Sequence, residues 1–225
     1  ASSVALALHQ SAHDLSRRVR LLTLLPFTFR EYLSFQHRED VAALTLGQVI
    51  DRQWSADHAR ASLRFDPFLR GGSMPFAVDE PDVLPLLGNI LNTIIQRDIP
   101  RIARLHTDEL DSIQKLVRFI GRSGVDGINY SSLSRNVGIT KYKAEQYVGL
   151  LEAAFVLQCT FPTGTNVLRE PKVLLSLPYR LLFRDFSDAI GGLREDFFAE
   201  AMRQAGIAFT YLKSTRGRKT PDYLV

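Results

Sequence analysis

The stretch NYSSLSRNVGITKYKAEQYVGLL, residues 129–151, decides how this chain is read. Residues 130–136 read as a short helix, Val137-Gly138-Ile139 as a tight turn, and Thr140 as the cap of a second helix running to about residue 157. Gly138 supplies the left-handed backbone that a sharp inter-helix turn needs. Two apolar runs follow, 156–161 and 167–177, separated by Pro162-Thr163-Gly164-Thr165-Asn166, and they read as a hairpin. Helix, glycine turn, capped helix and hairpin make a winged-helix pattern. Leu133, Val137, Ile139, Val148 and Leu151 form its small core. Thr140, Lys141, Lys143 and Gln146 face outward on the second helix, where lysine and glutamine can meet phosphates and base edges. Glu145 on the same face opposes phosphate. The same module also serves for docking a protein, so nucleic-acid and protein partners both stay open.

Upstream, the pattern is helical. Leu6, Leu8, Ala12, Leu15 and Val19 place an amphipathic helix over 5–20. A short apolar run at 21–25 reads as a strand, and 27–35 as a helix. Further helices are expected at 40–52, 55–69 and 82–104, with a break at Arg70-Gly71-Gly72-Ser73-Met74-Pro75 and a bend or end near Pro100. A helix over 107–122 has Thr107 or Asp108 as its cap and Leu110, Ile113, Leu116, Val117 and Ile120 on one face.

Downstream of the hairpin, helices are expected near 178–190 and at 193–205, then strands at 207–213 and 221–225. Two carboxylates stand out there. Glu195 opens a helix, and Asp222 opens the last strand. Nucleases of the restriction-endonuclease-like fold use a helix Glu, a strand Asp and a following [DE]-x-K to hold Mg²⁺ and orient water. No [DE]-x-K follows Asp222 in this sequence, and a first-turn Glu also suits the helix dipole. Glu195 and Asp222 are the candidate catalytic pair on this reading.

The 225 residues are 45% hydrophobic and 23% charged, ordinary for a folded chain and too mixed for disorder, collagen or coiled coil. The net charge of +4 permits phosphate contact without demanding it. No window offers the ~18 apolar residues of a spanning helix, so no membrane role is expected. Cys159 is the single cysteine, which excludes a disulfide framework or a Cys-rich zinc site and fits a reducing cytoplasm. His9 and His13 share a helix face, but Gln10 stands where a zincin needs Glu, so no metal ligands are assigned. Gly217-Arg218-Lys219-Thr220 lacks the spacing of a phosphate loop. The chain has no nucleotide cradle of its own.

Several strings in order resemble one family, the bacterial and archaeal P-loop ATPases distantly related to AAA+ proteins. Ala1-Ser2-Ser3-Val4-Ala5-Leu6 is similar to the turn that follows the last strand of that ATPase core. Leu15-Ser16-Arg17-Arg18-Val19-Arg20, followed by Leu25-Pro26-Phe27-Thr28-Phe29-Arg30-Glu31-Tyr32-Leu33, resembles "LxGRxxxLxLxPLSFxEFL", with Arg17 replacing the usual glycine. Phe68 to Pro75 resembles "YLxxGGxP", and Ile94-Ile95-Gln96-Arg97-Asp98-Ile99 resembles a segment ending in "DI". Pro171-Lys172-Val173-Leu174-Leu175-Ser176-Leu177-Pro178 is similar to "PKIYFxNP". Gly191-Gly192-Leu193-Arg194-Glu195-Asp196-Phe197-Phe198 is similar to "GxxREtFF", and the last six residues to "xDFLV".

The resemblance implies a mainly α chain with a winged helix, followed by a small α/β segment of restriction-endonuclease-like type. It implies four regions: 1–35 as the tail of an ATPase core, 36–123 as a helical coupling region, 124–177 as the winged helix, and 178–225 as a truncated nuclease-like segment. ATP and Mg²⁺ would belong to the parent protein, mostly upstream. Ser3 and Arg18 are the residues here expected to sense the nucleotide, because both can donate to a γ-phosphate. The chain alone is not expected to be an enzyme.

Overall fold

The computed structural model describes residues 23–164, 170–212 and 221–225. Helix dominates them, with two small antiparallel sheets, as the mainly α reading anticipated. The expected helix at 5–20, Ser3, Arg17 and Arg18 lie outside the described residues.

Helix α1 (Phe29–His37) starts at a reciprocal cap. Thr28 Oγ1 accepts the Glu31 N–H at 3.2 Å, and Glu31 Oε2 accepts the Thr28 N–H at 2.8 Å. That cap shifts the helix two residues beyond its expected start. The strand expected at 21–25 is absent over residues 23–25, which join no ladder. Helices α2 (Leu46–Ile50) and α3 (Ala56–Ser62) are shorter than their expected spans. Thr45 caps α2 late, its Oγ1 accepting the Gln48 N–H, whereas Ser55 caps α3 where expected, its Oγ accepting the Asp57 N–H, and α3 ends early at Ser62. A turn at Phe65–Pro67 then runs into a π-helical turn at Phe68–Gly72. The break expected at 70–75 is present: Gly71, at φ 148°, leaves helical geometry, the π-turn ends at Gly72, and the next α-helix starts only at Val83 after a 3-10 turn at Pro75–Val78.

Helix α4 (Val83–Thr93) continues through a π-turn at Ile94–Asp98 into a last turn at Ile99–Ile102. Pro100 opens that last turn, where its missing N–H costs least. Helix α5 (Thr107–Arg122) matches its expected span. Its cap is His106 and not Thr107 or Asp108, because Glu109 Oε2 reaches back to the His106 N–H at 3.1 Å. Helix α6 (Tyr130–Val137) begins where Asn129 Oδ1 accepts the Ser132 N–H at 2.9 Å. Gly138 follows at φ 77°, ψ 34°, then α7 (Lys141–Ala153), capped by Thr140. Helix α7 stops short of residue 157 because Phe155 turns the chain out at φ 59°.

That turn releases β1 (Leu157–Thr160), which pairs antiparallel with β2 (Lys172–Leu175), Leu157 opposite Leu175. Ile128 C=O accepts the Val173 N–H at 2.9 Å, which draws the segment before α6 onto the same hairpin. After a 3-10 turn at Tyr179–Leu182, α8 (Phe186–Gln204) is one helix, where two were expected. Gly191 and Gly192 lie inside it. A Cβ on Gly192 would stand 2.7 Å from Arg180 Nε, so the glycine there makes room for a guanidinium. Strands β3 (Thr210–Tyr211) and β4 (Tyr223–Leu224) pair antiparallel, and Tyr211 also bonds to Phe161 and Thr163.

Two buried clusters hold the elements. The larger runs from Leu87 through Ile113, Leu116 and Ile120 of α5 to Tyr147, Leu151, Val173 and Tyr179. The second joins α1 to α8 through Tyr32, Leu33, Phe68, Leu69, Leu177 and Leu193.

Candidate functional site

The outward face of α7 is the first expected site. Thr140 is spent as a cap, its Oγ1 accepting the Lys143 N–H at 3.2 Å. Lys141 Nζ is paired with Glu170 Oε1, which also accepts the Ser131 hydroxyl. Lys143 Nζ stands 3.1 Å from Glu109 Oε1. Hydrogen bonds from the His106 N–H, the Tyr147 hydroxyl and Lys143 hold the Glu109 carboxyl down at about 2. Both lysines thus answer a carboxylate of this chain. Gln146 is exposed beside Glu145, and Tyr142 projects 76% exposed. The sequence reading missed Glu109 and Glu170 because each comes from a distant element.

The second site gathers at the start of the C-terminal half of α8. Lys172, on β2, directs its Nζ to Glu195 Oε1 and, at 3.3 Å, to Asp126 Oδ1. The Tyr223 hydroxyl donates to the same Glu195 oxygen at 2.6 Å. Burial, and then the neighbouring Glu195 carboxylate, push the Tyr223 hydroxyl far up, with Asp222 and Asp196 adding to it. Glu195 therefore ties α8 to β2 and β4. Asp222 is exposed, and its side chain does not join that network. A cation at Glu195 would have to displace the Lys172 ammonium, and the described residues hold no group of three or more His, Cys, Asp or Glu able to share one. As it stands, this donor set is an ion-pair network and does not fit Mg²⁺. One signal for Lys172 was legible: a lone charge inside the apolar run PKVLLSLP needs a buried partner.

Beneath it lies a fully buried pair. Arg180 Nε and Nη2 donate to Asp196 Oδ2 and Oδ1 at 2.6 and 2.8 Å, and Arg180 Nη1 reaches the carbonyls of Ile120 and Ser123. Asp196 Oδ1 also accepts the Leu175 N–H. Burial pushes the Asp196 carboxyl up to about 6, against the pull of Arg180. Glu200, one turn on, accepts the Leu177 N–H at 2.9 Å through Oε2, while Oε1 is buried with no hydrogen bond. Burial raises its carboxyl to about 7. Gln158 Nε2 bonds the carbonyls of Leu175 and Asp196. These groups lock α5, β1, β2 and α8 in register and so set where Glu195 and Lys172 stand.

Two other features carry little chemistry. A cleft of about 390 Å³ between α1 and α3 is lined by Phe29, Leu33, Val41, Ala61 and Phe65. Both nitrogens of its His58 are occupied, by Ser55 and the Ala42 carbonyl. Cys159 is half-buried, and burial beside Glu152 raises its thiol, which removes it as a nucleophile.

The residues 64–186 match a family described as "Domain of unknown function (DUF8612)". That match covers more than half of the chain, which belongs to this family. An uncharacterized protein of Methanocaldococcus jannaschii, MJ1637, is 27% identical over 173 residues, 72% of this chain. The chain spans 36% of that relative's length. No solved structure matches the chain. Among the described residues, no helix is long and apolar enough to cross a membrane.

Proposed function

We propose that this chain is the coupling and binding region of a longer P-loop ATPase, and that its α5–α7 and β1–β2 body is a winged helix holding nucleic acid. The observation that carries the reading is the bond from the Val173 N–H to the Ile128 carbonyl. It lays the segment before α6 against the two-stranded hairpin that follows α6, Gly138 and α7, an order of elements like that of helix, turn, helix and wing. The ATPase part rests on the ordered strings from residue 1 to residue 225, and the greater length of the archaeal relative leaves room for such a core. ATP and Mg²⁺ would bind upstream, with Ser3 and Arg18 sensing the nucleotide and the helices before residue 123 passing its state on. The test is binding of a labelled duplex DNA by the chain across a salt series. Affinity falling steeply with salt is expected, and a slope near zero would remove nucleic acid from the reading.

A second reading, docking of a protein, is favoured by two observations. Lys141 and Lys143 are both paired within the chain. Leu46, Ile50, Trp54 and Leu63 on and beside α2 and α3 are each more than half exposed, an apolar surface suited to protein contact. The nuclease reading of the segment 178–225, with a restriction-endonuclease-like fold, draws its support from Glu195 and Asp222 alone. It requires the Lys172 pair to open.

A further inference from the structure

We propose that the phosphate-contacting surface of this chain is the outward stripe of α5 built by Lys115, Arg118 and Arg122, and not the lysines of α7. The inference rests on the nucleic-acid reading above and names its binding face. Lys115, Arg118 and Arg122 stand at i, i+3 and i+7, so they share one line along the helix. All three are exposed, and none enters an ion pair among the described residues. At 1.5 Å per residue they span about 10 Å, the axial run of about three phosphates on one strand of a duplex.

Helix-dipole complementarity does not account for the stripe. That effect fades within the last turn, and Lys115 lies two turns before the end of α5. The stripe changes sign along the helix. Exposed Asp111, four residues before Lys115, and Asp108 continue its line into the first turn, so the cations hold only the last two turns, and Glu109 is taken by Lys143. Asp126, the next acid beyond the helix, points its Oδ1 at Lys172. Arg135 is a further exposed cation, in the last turn of α6, which packs against α5. The α7 lysines contrast with these, because phosphate contact there would first break the pairs to Glu170 and Glu109. The stripe also lies away from the core line Ile113, Leu116, Val117 and Ile120, so altering it leaves the packing intact.

The test compares three proteins of full chain length: the parent sequence, the triple variant Lys115→Gln, Arg118→Gln, Arg122→Gln, and the double variant Lys141→Gln, Lys143→Gln. Each is titrated onto a fluorescein-labelled 20-base-pair duplex between 50 and 200 mM KCl, with circular dichroism checking the fold. Each lost phosphate contact removes about 0.9 from the slope of log affinity against log salt. The triple variant is expected to lose between about 2 and 3 from that slope and the double variant close to none. A triple variant that keeps the slope, or a loss confined to the double variant, overturns the α5 assignment and leaves the nucleic-acid reading standing. A parent protein without salt-dependent DNA binding overturns both. In a parallel titration with fluorescein-labelled poly-glutamate, a triple variant that keeps DNA but loses poly-glutamate assigns the stripe to an acidic protein and overturns the proposal.

Discussion

Arg180 sits 1% exposed, in a cage made by Asp196, two carbonyls and the bare face of Gly192. Its removal would leave Asp196 buried and uncompensated. Arg180→Leu is therefore expected to cost about 3–5 kcal/mol of stability in urea unfolding. The double variant Arg180→Leu, Asp196→Leu should cost less than the single, because no orphan charge remains. Glu200 sets a pH dependence. Its carboxyl is raised from 4.5 to about 7 by burial, with Asp196 adding to the rise and Arg203 and the Leu177 N–H opposing it. Between those values the folded chain keeps a proton that the unfolded chain has released. Stability should fall as pH rises through that window, by about 3 kcal/mol in all, and level off above it. Glu200→Gln should flatten the profile between pH 5 and 8. A profile unchanged by the substitution would mean that another group titrates. Glu109 works in the other direction: held at about 2, it adds stability that is lost only as pH falls below about 4.

At the scale of elements, the turn between α6 and α7 was legible because its chemistry is local. Gly138 holds φ 77°, and Gly138→Ala should cost about 1 kcal/mol by chemical denaturation. Thr140→Ala should cost a similar ~1 kcal/mol through the lost cap. Helix α5 was equally legible, its apolar line repeating at helical spacing. Helix α8 was not. Two adjacent glycines read as a break, yet one of them is where the Arg180 side chain must pass. Gly192→Ala should cost about 1–3 kcal/mol by forcing that guanidinium aside, although alanine is the better helix former. Gly71, by contrast, marks a true break, because its φ of 148° lies outside what a helix allows.

Across the whole molecule, the larger cluster joins α4, α5, α7 and both strands of the first hairpin. Ile113, fully buried on α5, should cost between about 2 and 5 kcal/mol when changed to Ala. Near-ultraviolet and far-ultraviolet circular dichroism should then lose their signals in one transition, because side-chain packing and most of the helix depend on that cluster. Separate transitions would show that α5 and the hairpin unfold independently. Charge is distributed at this scale too. The α7 lysines looked available in the sequence, but the fold brings Glu170 and Glu109 from distant segments against them. Among the described residues, no carboxylate pairs with the α5 cations, and they stay exposed.

Apolar periodicity, caps and the Gly138 turn were enough, by themselves, to set the helical character, α5, the α6–α7 pair and the hairpin behind it. Those signals act within a few residues, where backbone sterics and local hydrogen bonds decide. Which charges are spent and which stay free was settled only in three dimensions. Lys172 meets Glu195 across 23 residues, Lys143 meets Glu109 across 34, and Arg180 meets Asp196 through a gap left by a glycine. Pairing of that kind depends on the desolvation and proximity that packing creates, and neither is encoded in the spacing of residues along the chain.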